Sequence, residues 1–495
     1  MKIPKRLHNH SATSLLNEKD EFIQVIVGKV KADALREFLN TDKGQNMFDI
    51  VCENKVRRNM SSILSGAGAN AKDAFQDLYN LWFDEKGNKT ECLKTLEEEG
   101  IDLARMSSIL NGAGARAKDA FQGLYGLWFD DKGNKTKYLK TLEKERMDLV
   151  RISGILSKAG ARARDAFQGL YHLWFDQQGK KRKCLETLER KGIDLARISS
   201  ILSGAGAKAK EAFQGLYHLW FDEKGNKTKY LKTLEKEGID LARISSILSG
   251  AGAKAKEAFE GLYESLFAKE GEKTRLEVLK DNGVDLARIS SILHGAGAKA
   301  KEAFEGLYKL WFDVEGNKTQ HLKTLEKNGV DLARISSILS GAGAKAKEAF
   351  QDLYGLWFDD KGNKTKYLKT LEKEEIDLAH MSGILNGAGA KAKDAFQGLY
   401  HLWFDKGKKT KYLKTLEKEG IDLVRMSSIL NGAGAKAKDA FQGLYHLCFD
   451  DKGNKTKYLK TLEKERMDLV RISGILSKAG ARARDAFQGL YESSV

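Results

Sequence analysis

The chain has 495 residues, with 85 Lys plus Arg against 69 Asp plus Glu and a formal net charge of +16. That balance favours polyanionic partners, although a solvated lysine-rich surface gives the same sign. With 48 glycines, one proline (Pro4) and a strong apolar periodicity, collagen-like structure and extended disorder are excluded, and no apolar run nears the roughly 18 residues that span a bilayer.

The first residues, MKIPKRLHNHSATSLLNEKDEF, are basic but lack the apolar middle of a secretory signal, so export by that route is not expected. Residues 1–55 show no clean repeat. Within them Phe22 to Phe38 (FIQVIVGKVKADALREF) echoes the downstream pattern in degenerate form, as a capping end repeat would. From residue 56 onward one stretch returns ten times, reading DLARISSILSGAGAKAKEAF in its fourth copy, Asp194 to Phe213. The Leu that closes its first apolar run stands at 64, 110, 156, 202, 248, 293, 339, 385, 430 and 476, spaced 45 or 46 residues apart. A fixed period of this size predicts an all-α fold, a superhelical α-solenoid of ten helical repeats behind a degenerate N-terminal cap. The tenth copy is incomplete, running to residue 489 and leaving 490–495 as a tail.

In the fourth copy Asp194 suits an N-cap, and Leu195, Ile198, Ile201 and Leu202 share one helical face. Ser203-Gly204-Ala205-Gly206 breaks that helix. Ala209, Ala212, Phe213, Leu216, Tyr217 and Trp220 then follow a 3.6-residue period, and FDEKGNKT separates them from a third stripe of Tyr230, Leu231 and Leu234. Three helices per repeat are expected, with one interrupted helix as the alternative for the last two. From the capping Asp to the Phe the separation is always 19 residues, whereas from that Phe to the next Asp it is 27 in the fourth copy and 26 in the fifth and eighth. The first half of the repeat is length-locked.

No constellation for catalysis, metal binding or a cofactor emerges. Cys52, Cys92, Cys184 and Cys448 lack metal-ligand spacing and read as small apolar fillers, with Cys448 in a slot that most copies give to Trp. The nine histidines form no HExxH or triad-like pattern, and His218 reads as packing. GAGAKAK lacks the preceding strand and the GK[ST] ending of a nucleotide-binding loop. It does place flexible amides and a basic residue at the positive end of a helix, and one such station per repeat suits a phosphodiester strand. The bland alternative makes these lysines the wet face of the second helix, with Glu211 pairing Lys208 at i, i+3. The LYxLWF stripe reads as core, and Lys180-Lys181-Arg182-Lys183 as a charged outer turn in preference to an import signal.

Variation concentrates at two adjacent positions after the closing Leu, which read Ser-Gly in four copies, Asn-Gly in three at 111, 386 and 431, His-Gly at 294 and Ser-Lys at 157 and 477. Drift would scatter changes over exposed helix faces. A protein that reads one ligand unit per module would concentrate them at the reading position.

The pattern ISSILSGAGAKAKEAF resembles the repeats of transcription activator-like effectors and their bacterial relatives, which are DNA-binding solenoids. That family has a short helix, a loop with two variable residues, and a longer helix with a basic residue near its start. The present repeats carry an additional outer segment, and Lys208 falls one position beyond the family's basic residue. The resemblance implies that the second residue of each pair meets a base: Gly66, Gly112, Lys158, Gly204, Gly250, Gly295, Gly341, Gly387, Gly432 and Lys478. It implies that the first braces the loop: Ser65, Asn111, Ser157, Ser203, Ser249, His294, Ser340, Asn386, Asn431 and Ser477. The phosphate stations are then Gly114 with Arg116, Gly160 with Arg162, Gly206 with Lys208, Gly252 with Lys254, Gly297 with Lys299, Gly343 with Lys345, Gly389 with Lys391, Gly434 with Lys436 and Gly480 with Arg482. Gly leaves room for the thymine methyl and Lys suits guanine O6 and N7, so the pairs spell T, T, G, T, T, T, T, T, T, G.

The expected function is therefore a sequence-preferring binder of double-stranded DNA, wound as a right-handed solenoid around the duplex, monomeric, with no cofactor, metal, membrane or small-molecule substrate. It is not expected to be an enzyme. The expected location is the cytoplasm of the producing cell, and the resemblance adds delivery to a host nucleus. The rival is a HEAT- or armadillo-like scaffold for a protein partner, for which a period near 45 is ordinary. Such a scaffold calls for larger side chains than Ser, Asn and Gly at the variable ridge.

Overall fold

The computed structural model describes residues 22–23 and 33–494, apart from Asp102, Asp148, Asp194, Asp377 and Lys478. The seventh repeat serves as the pattern. Asp331 holds an extended backbone, and its carboxylate accepts the Arg334 N–H at 2.9 Å, satisfying one of the amides that a helix start leaves open. Leu332–Leu339 follows as the first helix, burying Leu332, Ile335, Ile338 and Leu339. Asp240, Asp285, Asp422 and Asp468 cap in the same way. Asp194, where the fourth cap is expected, lies outside the described residues.

A two-residue bend leads to one 3-10 turn, Gly343–Lys345, and then to the second helix, Ala346–Trp357, which buries Ala346, Ala349, Phe350, Leu353, Leu356 and Trp357. Phe358 leaves that helix in extended backbone and pairs antiparallel with Lys364. Inside the resulting hairpin the Asp359 carboxylate accepts the N–H groups of Lys361 and Asn363 at 2.9 and 2.8 Å. Those bonds, Asn363 foremost, hold its pKa below the usual carboxylate range. The third helix, Lys366–Lys373, buries Leu368 and Leu371. The repeat thus has three separate helices, and the interrupted-helix alternative fails because a hairpin intervenes.

Contacts divide the chain into two compact units, Met1–Thr233 with Gly250–Lys256, and Leu234–Ser249 with Glu257–Val495. In the first unit the first helices Arg57–Leu64, Leu103–Leu110, Leu149–Leu156 and Leu195–Leu202 pack one against the next. In the second unit Leu241–Leu248, Leu286–Leu293, Leu332–Leu339, Leu378–Leu385, Leu423–Ile429 and Leu469–Ile475 do the same. Within each unit second helices pack on their neighbours, joined by aromatic contacts. Trp82 meets Phe121 edge-on with centroids 5.9 Å apart, and Trp403 meets Phe441 likewise at 5.9 Å. These are the stacked, neighbour-only contacts of an all-α solenoid. Ahead of the first repeat, Asp33–Leu39 packs on the second helix Ala71–Trp82, and Asp42–Glu53 follows it. Residues 24–32 of the expected degenerate copy lie outside the described residues. The last helix, Ala483–Ser494, runs through most of the expected tail. No described helix is long and apolar enough to cross a membrane.

Seven tryptophans fill the same slot, and each indole N–H is buried without a partner among the described residues. An unmet donor costs about 1–3 kcal/mol. Burying roughly 200 Å² of ring at about 25 cal/mol per Å² contributes some 5 kcal/mol, so the ring stays.

Two repeats depart from this pattern. In the fifth, Leu266 takes the Trp slot and Arg275 lies beside it, paired with Glu270 at 2.6 Å and over the Tyr308 ring at 5.1 Å. In the ninth, Cys448 takes the slot, and the space it leaves is an apolar cavity lined by Leu416, Met426, Ile429, Leu444, Ile472 and Phe487 among others. Burial pushes the Cys448 thiol up to about 12, as it does Cys92, which fits inert fillers. Cys448→Trp is expected to raise the unfolding free energy by about 1–2 kcal/mol. Urea and thermal melts check this, and an unchanged or lower midpoint would contradict it.

Candidate nucleic-acid interface

The variable pair sits at the end of the first helix, where the chain must reverse. In the seventh repeat Ser340 closes the helix at φ −50°, ψ 126°, and Gly341 turns to φ +78°. Every described second-position residue lies in this left-handed region, from Lys158 at +68° to Gly204 at +92°. That region strains side chains and admits glycine freely, so the predominance of Gly here is first a demand of the helix terminus. Lys158 accepts the strain, and it is the one described non-glycine at this position. All described second-position residues are exposed. A Cβ built on Gly66, Gly250, Gly295, Gly341, Gly387 or Gly432 meets nothing within 4 Å, so a larger side chain there would project into open space. Lys478 lies outside the described residues.

Some consecutive windows approach closely. A Cβ built on Gly204 would stand 3.9 Å from the Gly250 Cα, and one on Gly112 the same distance from the Ser65 carbonyl oxygen. At these places the added outer segment does not hold neighbouring loops apart. The two shortened repeats absorb their deletions far from it. The eighth tightens its hairpin to strands Phe404–Asp405 and Lys408–Lys409, and the fifth shortens its third helix to Arg275–Asp281.

The glycine two residues further on has a different task. Gly114, Gly160, Gly206, Gly252, Gly297, Gly343, Gly389, Gly434 and Gly480 are all buried at positive φ. A Cβ on Gly206 would lie 2.9 Å from the Lys158 carbonyl oxygen, and one on Gly434 2.9 Å from that of Asn386. The glycine half of each expected phosphate station is thus a packing residue against the preceding loop. The basic half is open. Arg116, Arg162, Lys208, Lys254, Lys299, Lys345, Lys391, Lys436 and Arg482 are exposed, each ending the 3-10 turn just before the second helix.

Among the described residues none of these nine cations has an ion-pair partner, and the expected Lys208–Glu211 pair is not formed. Several cations elsewhere are paired. On the hairpin edge Lys135 bridges Glu99 and Glu143 at 2.6 and 2.8 Å, and Lys455 bridges Glu419 and Glu463 at 2.8 and 2.7 Å. The basic run is engaged as well: Lys181 pairs Glu145 and Glu189, and Lys183 Nζ donates to the Glu223 carbonyl at 2.6 Å. Two residues beyond the free row, Lys256 lays its stem over Gly215, and Lys393 pairs Asp352 at 2.9 Å. The loop row thus carries exposed cations outside these bridges.

First-position residues bond across repeats. Ser65 Oγ donates to Asn111 Oδ1, His294 Nδ1 donates to the Ser246 carbonyl at 3.0 Å, and the Ser428 and Ser477 hydroxyls meet at 2.9 Å. The N–H groups of Gly341, Gly387 and Gly432 donate to the carbonyls of Ser291, Ser337 and Gly383 at 3.2, 3.0 and 2.9 Å. Ser246, Ser291, Ser337, Gly383 and Ser428 are one position, the sixth residue of the first helix. Sequence reasoning passed over it, although its alternation between Ser and Gly (Gly154, Gly383, Gly474) was there to be read.

His218 is exposed, edge-on to Tyr217 at 5.8 Å, and no described group of His, Cys, Asp and Glu is arranged to hold a metal. No family model matches the chain, and no curated protein matches it.

The two glycines of one loop separate their roles on substitution. Gly432→Ala is expected to cost about 1–2 kcal/mol from left-handed backbone alone. Gly434→Ala should cost at least twice as much, because it adds a backbone collision. Equal losses in chemical denaturation would contradict the packing assignment.

Proposed function

We propose that this chain binds double-stranded DNA along its loop edge, with about one repeat per base, and does so without chemistry. The carrying observation is that in each unit exposed cations, without an ion pair among the described residues, follow directly on open two-residue windows. Each cation stands at the start of a twelve-residue helix, where the helix dipole adds positive potential. The cations would supply most of the affinity by displacing counterions, and the window residues the preference among bases. At the third window Lys158 offers three donors for guanine O6 and N7, and at the glycine windows the absent side chain leaves room for a thymine methyl. The proposed site is thus T, T, G, T, T, T, T, T, T, G. The small window residues argue against a protein-binding ridge, which would need large anchors.

Nine phosphate contacts predict that log K falls against log salt with a slope of roughly −8. Replacing Lys299, Lys345, Lys391 and Lys436 together by Ala should flatten the slope by about 4 and weaken T-rich and scrambled duplexes alike. Anisotropy titrations at several salt concentrations measure both. Absent or salt-insensitive binding would return the chain to the protein-scaffold alternative.

A further inference from the structure

We infer that each window is positioned by the repeat before it, so that base preference belongs to neighbouring pairs of repeats. This rests on the DNA-reading proposal above. A freely modular reader would brace each window with bonds inside its own repeat. Here braces also run backward. The Asn111 side chain is met by Ser65, and the His294 ring by Ser246 and Ser249, all of the preceding repeat.

The chemistry specifies the His294 ring. A carbonyl only accepts, so Nδ1 must carry hydrogen to bond Ser246 O at 3.0 Å, and the neutral ring keeps Nε2 as its acceptor. The Ser249 and Ser246 hydroxyls lie 3.3 and 3.5 Å from the same nitrogen and can accept from it as well. In the seventh, eighth and ninth repeats the corresponding carbonyl receives the N–H of the window glycine itself. One position, the sixth residue of the first helix, therefore docks the next window in both arrangements. Ser65 extends the chain, since its hydroxyl also lies 3.0 Å from the carbonyl of Ser62, that same position in the first repeat. Ser65, Ser246 and Ser249 act here as positioning residues for a neighbour's reading.

Binding-site selection with Ser65→Ala and with Ser249→Ala tests this. Each variant should relax base preference at its own window and at the following one, the second and the sixth respectively, by roughly three- to tenfold, the weight of one hydrogen bond. Windows further along should keep their preferences. Changes confined to the first and fifth windows would overturn the inference. A measurement without DNA separates this result from failure of the binding proposal. In the free protein, Ser249→Ala and Ser246→Gly should each move the ¹⁵N resonances of the His294 ring, and Ser65→Ala those of the Asn111 side-chain amide. Glycine at position 246 is safe for the fold, since Gly154, Gly383 and Gly474 already occupy the equivalent site. Unmoved resonances would overturn the coupling whatever the DNA experiment returns.

Discussion

The loop edge depends on one packing constraint, the contact of each buried loop glycine with the backbone of the preceding loop. Gly206 against the Lys158 carbonyl and Gly252 against that of Gly204 leave no room for a Cβ, and that closeness seats each of these loops on the one before it. The extra length of a 45- or 46-residue repeat goes into a hairpin and a third helix away from the loops, tied between repeats by Lys–Glu bridges such as Lys409 between Glu374 and Glu417. The two edges are built separately, and deletions in the fifth and eighth repeats fall on only one of them.

The same separation distributes charge. On the hairpin edge Lys135, Lys181, Lys409 and Lys455 each bridge a glutamate of their own and one of the neighbouring repeat, which adds cohesion. Loop-edge cations have no such partners among the described residues. A net charge of +16 alone does not say which lysines are tied up in this way.

Much of the fold was legible because its signals are periodic: the Asp cap, the Ile-Leu stripe, the Phe-Leu-Trp stripe and the locked 19-residue spacing each predict an element that forms. Roles within the loop were less legible. Gly204 and Gly206 are the same letter two residues apart, yet one is exposed and set by backbone reversal, while the other is buried and set by Lys158, a neighbour 48 residues away. Only the fold brings that neighbour into contact. Likewise Ser246 carries no sign that its carbonyl holds His294, because a main-chain acceptor is common to every residue. The i, i+3 spacing of Lys208 and Glu211 suggested a pair, but Lys208 ends the 3-10 turn while Glu211 lies in the helix beyond, and the two do not join.

The most direct measurement is site-specific photo-crosslinking of the full chain to a T-rich duplex. A photoreactive residue would replace either Gly341 in a window or Val314 on the hairpin edge, which is 81% exposed. Lys158 indicates that the window backbone carries a side chain. Cross-links from position 341 and none from 314 are the predicted result. Equal yields, or cross-links from 314 alone, would contradict the claim that the open windows face the nucleic acid.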